Sequence, residues 1–315
     1  MKKIDEIIGD AKIVGIAGHI RPDGDCIGSC MSLYNYLKKN KSEIEVRVFL
    51  EFVDEKFRII KNTDRIETEG FDGTVFDLFI SLDTASFDRL GKNAPFFENA
   101  KRTVCIDHHK SNQGYADYNY IVPEASSASE VLYGLLDVEL FDKSIAEPMY
   151  MGIAHDSGVF RFQSTTSTTM NIAAKMIDFG IDVNTILEDT FYRKSYNQLM
   201  ITAKIQSNVV LCMDGKCIYG YCTSDMMKEY GVTTNDLDAV IASIRNVAGV
   251  EVAMFVYQLE ENKFKISLRS KKYVDVSEIA VSFGGGGHAR AAGFDMEGSL
   301  EEVIKCVTDR ISQKI

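Results

Sequence analysis

Short β-branched runs alternate with helical stretches along the first half of the chain. Lys12 to Gly18 (KIVGIAG) reads as a buried strand, and Ile27 to Lys39 as the helix that follows it. Glu43 to Leu50, Asp77 to Leu82 (DLFISL) and Arg102 to Ile106 (RTVCI) read as three more strands. Runs this continuously apolar are expected where helices cover both faces of a parallel sheet. Helices then dominate, over Ser127 to Leu136, Ser144 to His155, Thr168 to Phe179 and Val183 to Tyr192. The pattern changes near residue 190. Phe191 to Gln206 suggests one connecting helix, and strands at Val209 to Met213 and Cys217 to Tyr221 follow it. A helix from Asn235 to Ile244, strands at Val250 to Gln258 and Lys263 to Arg269, and a helix from Leu300 to Ile311 complete the chain. The expected fold is therefore α/β over residues 1–190, a mainly parallel sheet flanked by helices. A connecting helix over 191–206 leads to a smaller α+β domain over 207–315, with antiparallel strands and segregated helices.

Length and composition agree with this division. The chain has 315 residues, about twice a usual domain. Its 45% hydrophobic and 26% charged residues are ordinary for a soluble protein with real cores. No apolar run approaches the roughly 18 residues that span a bilayer, so no membrane partner is expected. Acids follow the two lysines of MKKIDEIIGD at once, which argues against a secretory signal and for the cytoplasm. The net charge of −11 has the wrong sign for a protein that coats long duplex nucleic acid. The seven cysteines are odd in number and form no CxxC, so free thiols are expected. Cys212, Cys217 and Cys222 look like a zinc set, but Asp214-Gly215 lies between two apolar runs. A hairpin with buried thiols is the better reading.

The five histidines are not scattered. His19, His108, His109, His155 and His288 each lie beside acids or glycines at the end of a strand or helix. The segment GHIRPDGDCIGS brings His19, Asp23 and Asp25 directly after the first strand. Asp83 ends FISLDT, Asp107-His108-His109 ends TVCIDHH, and His155-Asp156 ends the helical MYMGIAHDSG. In an open parallel sheet, ligands collect beyond the carboxyl ends of the strands. Taken singly, Asp23 or Asp25 is explained as a cap on the helix at Ile27, and Asp83 as a turn acid. Four carboxylates on one rim, however, repel one another unless something positive sits among them. Divalent cations meet that need, and mixed carboxylate and imidazole donors suit manganese, iron or zinc better than calcium. Two such ions sharing a carboxylate clamp both the attacking and the leaving oxygens of a phosphoryl transfer.

The chain resembles a DHH–DHHA1 phosphoesterase, of the superfamily that includes RecJ-like nucleases and manganese-dependent inorganic pyrophosphatases. The resemblance rests on HIRPDGDCIGS (19–29), SLDT (81–84), DHH (107–109), GIAHDSG (152–158), SLRS (267–270) and GGGGHARAAGF (284–294), in the family's order over nearly the whole chain. It implies a DHH domain followed by a DHHA1 domain. By resemblance, His19, Asp23 and Asp83 hold one metal, and Asp25, Asp83, His108 and Asp156 the second. Asp83 bridges, Asp107 supports His108, and His109 faces the substrate phosphate, so that Asp107 and His109 complete the catalytic set. Two manganese ions are the implied cofactor. Gly285, Gly286, Gly287 and His288 would bind substrate phosphate or nucleotide together with Arg269, whose guanidinium suits a bidentate contact. Arg290 is a weaker candidate, and His155 fits a supporting or substrate-side role better than a ligand's. Cys26 stands where the family usually has a small residue such as Ala, and Arg21 where Asn is frequent; neither removes a ligand. Cys26 and Cys30 read as helix-packing thiols, and Tyr115, Tyr118 and Tyr120 as a packed loop. The implied activity is manganese-dependent hydrolysis of short oligonucleotides (nanoRNA), pApA or cyclic di-AMP to mononucleotides, with pAp 3′-phosphatase activity beside it. Short RNA or a dinucleotide is the implied substrate, and a homodimer the implied assembly. The alternatives are a pyrophosphatase or polyphosphatase of the same superfamily, or a non-catalytic nucleotide-binding regulator.

Overall fold

The apolar runs of the first half do form a parallel sheet. In the computed structural model, which describes residues 3–315, the chain divides into two units, one ending at Arg193 and the other spanning Lys194–Ile315. The first unit runs α1 (Ile4–Ile8), β1 (Ile13–Ala17), α2 (Gly24–Asn40), β2 (Glu45–Phe49), β3 (Ile66–Glu67), β4 (Leu78–Leu82) and α3 (Ala94–Asn99). It continues with β5 (Thr103–Asp107), β6 (Tyr118–Ile121), α4 (Ala128–Tyr133), α5 (Lys143–Asp156), α6 (Ser167–Ile177) and α7 (Val183–Leu187). All neighbouring strands are parallel, in the order β3-β2-β1-β4-β5-β6.

Both faces of this sheet are covered, which is why β4 and β5 are buried at every position. Leu78, Ile80 and Leu82 pack in one cluster with Ile27 and Met31 of α2 and Met149 and Ile153 of α5. Phe79 points the other way, into Phe49, Phe76, Phe96 and Phe97. Burying each such side chain stabilises the fold by about 1.5–3 kcal/mol. Helices α2 and α5 approach closely because both carry glycine at the contact: a Cβ on Gly28 would lie 2.8 Å from Gly152 Cα. The strand order has a functional consequence. From β1 the chain builds outward through β2 and β3, then returns to β1's other side with β4 and β5. Loops leaving β1 and β4 thus diverge at a switch point, where open α/β sheets form their crevice.

The helix expected over 191–206 is not continuous. A π-helical turn, Glu188–Tyr192, closes the first unit, and α8 (Tyr196–Ser207) begins afresh. Ser195 and Gln198 form a capping box, each side chain accepting from the other's backbone N–H, and this stops the preceding helix from running through. Ile201 and Ile205 of α8 are buried in the second unit.

That unit continues with β7 (Val210–Cys212), β8 (Cys217–Cys222), α9 (Ser224–Tyr230), α10 (Asp238–Arg245), β9 (Val252–Glu260) and β10 (Lys263–Ser270). Then come α11 (Val276–Ser282), β11 (Gly286–His288), β12 (Ala291–Glu297) and α12 (Leu300–Ser312). The sheet order is β11-β12-β10-β9-β8-β7. It is mixed rather than wholly antiparallel, because β8 and β9 pair in parallel. A parallel pair needs a crossover, and α9 and α10 provide it. As expected, Asp214-Gly215 turns a hairpin between β7 and β8, which puts Cys212 opposite Cys217. All seven cysteines are free. One sheet face, with Phe264, Ile266, Leu268 and Phe294, is covered by α11 and α12. On the other face α8 and α10 cover Ile218, Ala253 and Phe255, and the half formed by β10, β12 and β11 remains partly open.

Candidate active site

Three consecutive strands of the first sheet, β1, β4 and β5, deliver acids and histidines at their carboxyl ends, and α5 delivers a fourth segment at its last residue. After β1, Asp23 caps α2: its Oδ1 accepts from the amides of Asp25 and Cys26, at 3.1 Å each. The same oxygen lies 3.8 Å from His19 Nε2. Asp23 therefore caps α2 while standing beside His19. Nδ1 of His19 donates to the Ile20 carbonyl at 2.7 Å, which turns Nε2 toward Asp83, 3.4 Å away.

Asp83 is the centre of the cluster. Its backbone occupies the left-handed region (φ 54°) at the end of β4, a conformation that aspartate tolerates better than most residues. The side chain is 3% exposed. Oδ2 faces His19, and Oδ1 lies 3.6 Å from His108 Nε2 and 3.7 Å from His109 Nδ1. Yet Oδ1 is buried with no hydrogen-bond partner. An orphaned, buried carboxylate oxygen ringed by imidazoles is costly unless a cation satisfies it.

Asp25 is wholly buried, and both its oxygens are held at the start of α4, accepting from Ala128 N at 2.6 Å and Ser129 N at 3.0 Å. Helix N-terminal amides favour a carboxylate there. Room for it comes from Gly152 of α5, where a Cβ would lie 2.7 Å from Asp25 Oδ1 and 2.1 Å from Ser129 Oγ. Asp156, the last residue of α5, accepts from His108 Nε2 at 3.0 Å. Ligand-type atoms of Asp25, His108 and Asp156 lie within 4.8 Å of one another, as do those of His19, Cys26 and Asp83, and those of Asp83, Asp107, His108 and His109.

Asp107 supports a different histidine from the one expected. Its Oδ1 accepts from His109 Nδ1 at 2.8 Å, and its Oδ2 accepts from Asn112 Nδ2 at 2.7 Å. His108 instead directs Nδ1 toward the Ala125 carbonyl at 3.4 Å. Asp107 thus fixes the tautomer of His109, leaving Nε2 as its lone-pair nitrogen. Burial opposes the charge on Asp107, but His109 and Asn112 outweigh it and hold its pKa below the usual carboxylate value.

The electrostatics of the cluster show its need for positive charge. Burial raises the pKa of Asp25, and the charges of Asp83 and Asp156 raise it further. Burial also raises Asp156, against the pull of His108. Burial would lower the imidazoles of both His19 and His108. Cys26, Asp23 and Asp83 outweigh it at His19, and Asp156, Asp83 and Asp25 outweigh it at His108, so each is pushed up to about 12. Carboxylates thus outnumber imidazoles in a buried cluster, and a donor set of carboxylates and imidazoles fits divalent metal.

His155 lies outside these groups. Burial and Lys56 lower its pKa to about 4, and its Nε2 lies 2.9 Å from Thr190 Oγ1 in the π-helical turn, between the rings of Phe57 and Phe191. Its neutral ring links α5 to the π-helical turn. Tyr115 is not part of an open loop: its hydroxyl bridges Ser81 Oγ and the Thr84 carbonyl beneath the rim. Tyr118 and Tyr120 lie in edge strand β6.

In the second unit, Arg269 of β10 pairs with Ala291 of β12, which pairs with His288 of β11. Directly opposed residues share a face, so Arg269 and His288 stand on one rung of the open half-sheet. The glycine run leads into edge strand β11, which holds Gly286 and Gly287. Gly285 and Gly287 are required by packing, since a Cβ on either would lie within 2.5 Å of backbone or Phe294 atoms. A Cβ on Gly286 would meet nothing within 4 Å, so this position stays open. Arg290 donates to the Val274 carbonyl at 2.7 Å and so ties the loop before α11. Sequence reasoning gave no role to Asn112, Gly152 or the α4 amides, although Asn112 follows the DHH tripeptide by three residues and Gly152 opens the GIAHDSG motif.

Residues 13–153 match the DHH family, N-terminal domain, and residues 214–313 match the DHHA1 domain. The chain is 29% identical over 312 residues to the bifunctional oligoribonuclease and PAP phosphatase NrnA of Thermus thermophilus, covering 95% of this chain and 90% of that protein. It is 26% identical over 296 residues to the protein of the same name from Bacillus subtilis, covering 92% and 91%. An exopolyphosphatase-related protein from Bacteroides fragilis has the same fold, with a TM-score of 0.89 at 23% identity, covering 99% of this chain and 94% of that one.

Proposed function

We propose that this chain, which carries a DHH family N-terminal domain followed by a DHHA1 domain, is a phosphoric ester hydrolase that cleaves very short oligonucleotides and dinucleotides such as nanoRNA, pApA or cyclic di-AMP to mononucleotides, and removes the 3′-phosphate of pAp. The observation that carries this reading is Asp83, whose two oxygens face separate ligand groups while Oδ1 has no partner. His19, Asp23 and Asp83 would hold one divalent cation, and Asp25, Asp83, His108 and Asp156 the other, with manganese as the ion of choice. Such a pair supplies an acidified water and neutralises charge on the phosphate.

The protein's own groups do the rest. Asp107 holds His109 in one tautomer, so that Nε2 is presented to the phosphate or to a leaving oxygen. The amides of Ala128 and Ser129 keep Asp25 fixed, so its position does not depend on the ion. Arg269, His288 and the open Gly286 would grip a substrate phosphate, the arginine through two parallel donors. The names of the relatives, oligoribonuclease and PAP phosphatase, support this substrate class. The acidic net charge favours a short substrate gripped locally over a long polyanion. A cytoplasmic setting agrees with seven free thiols.

A panel assay with manganese, offering pApA, pAp, cyclic di-AMP, short RNA, pyrophosphate and polyphosphate, tests the proposal. We expect turnover of pApA and pAp. Turnover of pyrophosphate or polyphosphate alone would replace this reading with the pyrophosphatase one, and no turnover at all would refute it.

A further inference from the structure

The two-cation reading leaves one donor-type atom unassigned. Cys26 is wholly buried, and its Sγ lies within 4.8 Å of ligand atoms of His19 and Asp83, which themselves lie within that distance of each other. The sulfur occupies space that glycine keeps open, since a Cβ on Gly18 would lie 2.1 Å from it. Its thiol reaches the His19 carbonyl only at 4.0 Å, a weak contact. Beside it, Asp83 is buried and turns Oδ2 toward His19 Nε2, 3.4 Å away. A buried carboxylate flanked by imidazole and sulfur, all within 4.8 Å, is a donor set for a cation. The other ligand group, Asp25, His108 and Asp156, contains no sulfur.

We propose that Cys26 is a sulfur ligand to the cation held by His19 and Asp83, so that this position, unlike the sulfur-free one, still takes manganese but binds a softer ion such as zinc, cobalt or iron(II) more tightly. The inference rests on the two-cation reading above. Softness of the donor sets the preference: thiolate selects zinc and iron, whereas carboxylate and imidazole alone admit manganese. When the ion binds, the S–H bond breaks, its proton leaves to solvent, and a sulfur–metal bond forms without electron transfer.

The test is a titration of metal-free, full-length protein with Co²⁺, followed by absorbance. Wild type is expected to give a near-ultraviolet sulfur-to-cobalt charge-transfer band together with visible ligand-field bands. Cys26→Ser and Cys26→Ala should keep the ligand-field bands and lose the charge-transfer band. Cys30→Ala, which removes the thiol one turn further along α2, should keep both. In competition experiments the Cys26 variants should lose about tenfold or more in Zn²⁺ affinity, with a smaller change for Mn²⁺. A wild-type protein that binds Co²⁺ without the charge-transfer band overturns the sulfur assignment and leaves the two-cation reading standing. So does a band that survives in both Cys26 variants. A wild-type protein that binds none of Co²⁺, Zn²⁺ or Mn²⁺ overturns the two-cation reading itself.

Discussion

Gly152→Ala is a small change that reaches the carboxylate–histidine cluster from outside it. The residue lies in helix α5, so alanine is acceptable to the backbone and by propensity alone would stabilise by up to about 1 kcal/mol. The added methyl, however, would lie 2.1 Å from Ser129 Oγ, 2.7 Å from Asp25 Oδ1 and 3.0 Å from Ser129 Cβ. Overpacking of this kind costs about 1–3 kcal/mol, so the net loss should be about 1 kcal/mol. For a unit of this size that is a fall in Tm of about 2–4 °C. Ser129→Ala should recover most of it, because it removes the Oγ that the methyl meets most closely. Metal affinity should behave differently. Asp25 is pinned by two amides and cannot swing away from the methyl. We therefore expect Mn²⁺ affinity to drop by about 10–100-fold and to stay low in the Ser129→Ala/Gly152→Ala double variant. Thermal unfolding and calorimetric Mn²⁺ titration of the single and double variants decide the matter. Wild-type affinity in Gly152→Ala, or its full return in the double variant, would refute the role given to Asp25.

Gly286→Ala has room for its methyl and needs no positive φ, so Tm should not change while KM for pApA rises; an unchanged KM removes Gly286 from the substrate site. Asp107→Asn should lower kcat about 10²-fold or more by releasing His109, with metal stoichiometry unaltered; loss of a metal ion instead would make Asp107 a ligand. Glu251 accepts from the amides of Lys272, Tyr273 and Val274. Burial works against its carboxylate, but these amides and Arg290 hold its pKa below the ordinary glutamate value. Its stabilisation is therefore complete above the unfolded-state pKa and disappears as pH falls through the folded one. Glu251→Gln should cost about 1.5–3 kcal/mol at neutral pH, and denaturant midpoints of the two proteins should converge in acid; a constant difference down to low pH would contradict the assignment.

How much of this was legible in the sequence depended on whether burial was continuous or local. The strands β1, β4 and β5 were plain because both faces of their sheet are covered. Their terminal acids stood out for the same reason, as charge following a buried run. Three of the four edge strands were not legible. β3 has two residues, β6 (YNYI) is half exposed, and β11 is Gly-Gly-His, with no side-chain pattern to read. The parallel pairing of β8 with β9 depends on a crossover by two helices, which alternation cannot reveal. Within the site, the residue types pointed to metal, but the partners did not show. Asp25 is held by amides more than a hundred positions away. The geometry also moved Asp107 from His108 to His109, because residues two apart beyond a strand end can share a side that sequence order does not disclose.

The central claim is that Asp83 joins two cations at one site. Electron paramagnetic resonance of the manganese-saturated, full-length protein tests it most directly. We expect the signature of a spin-coupled pair with two ions per chain, and its collapse to isolated Mn²⁺ in Asp83→Asn. One uncoupled ion per chain in wild type, or a coupled pair that persists in the variant, would contradict it.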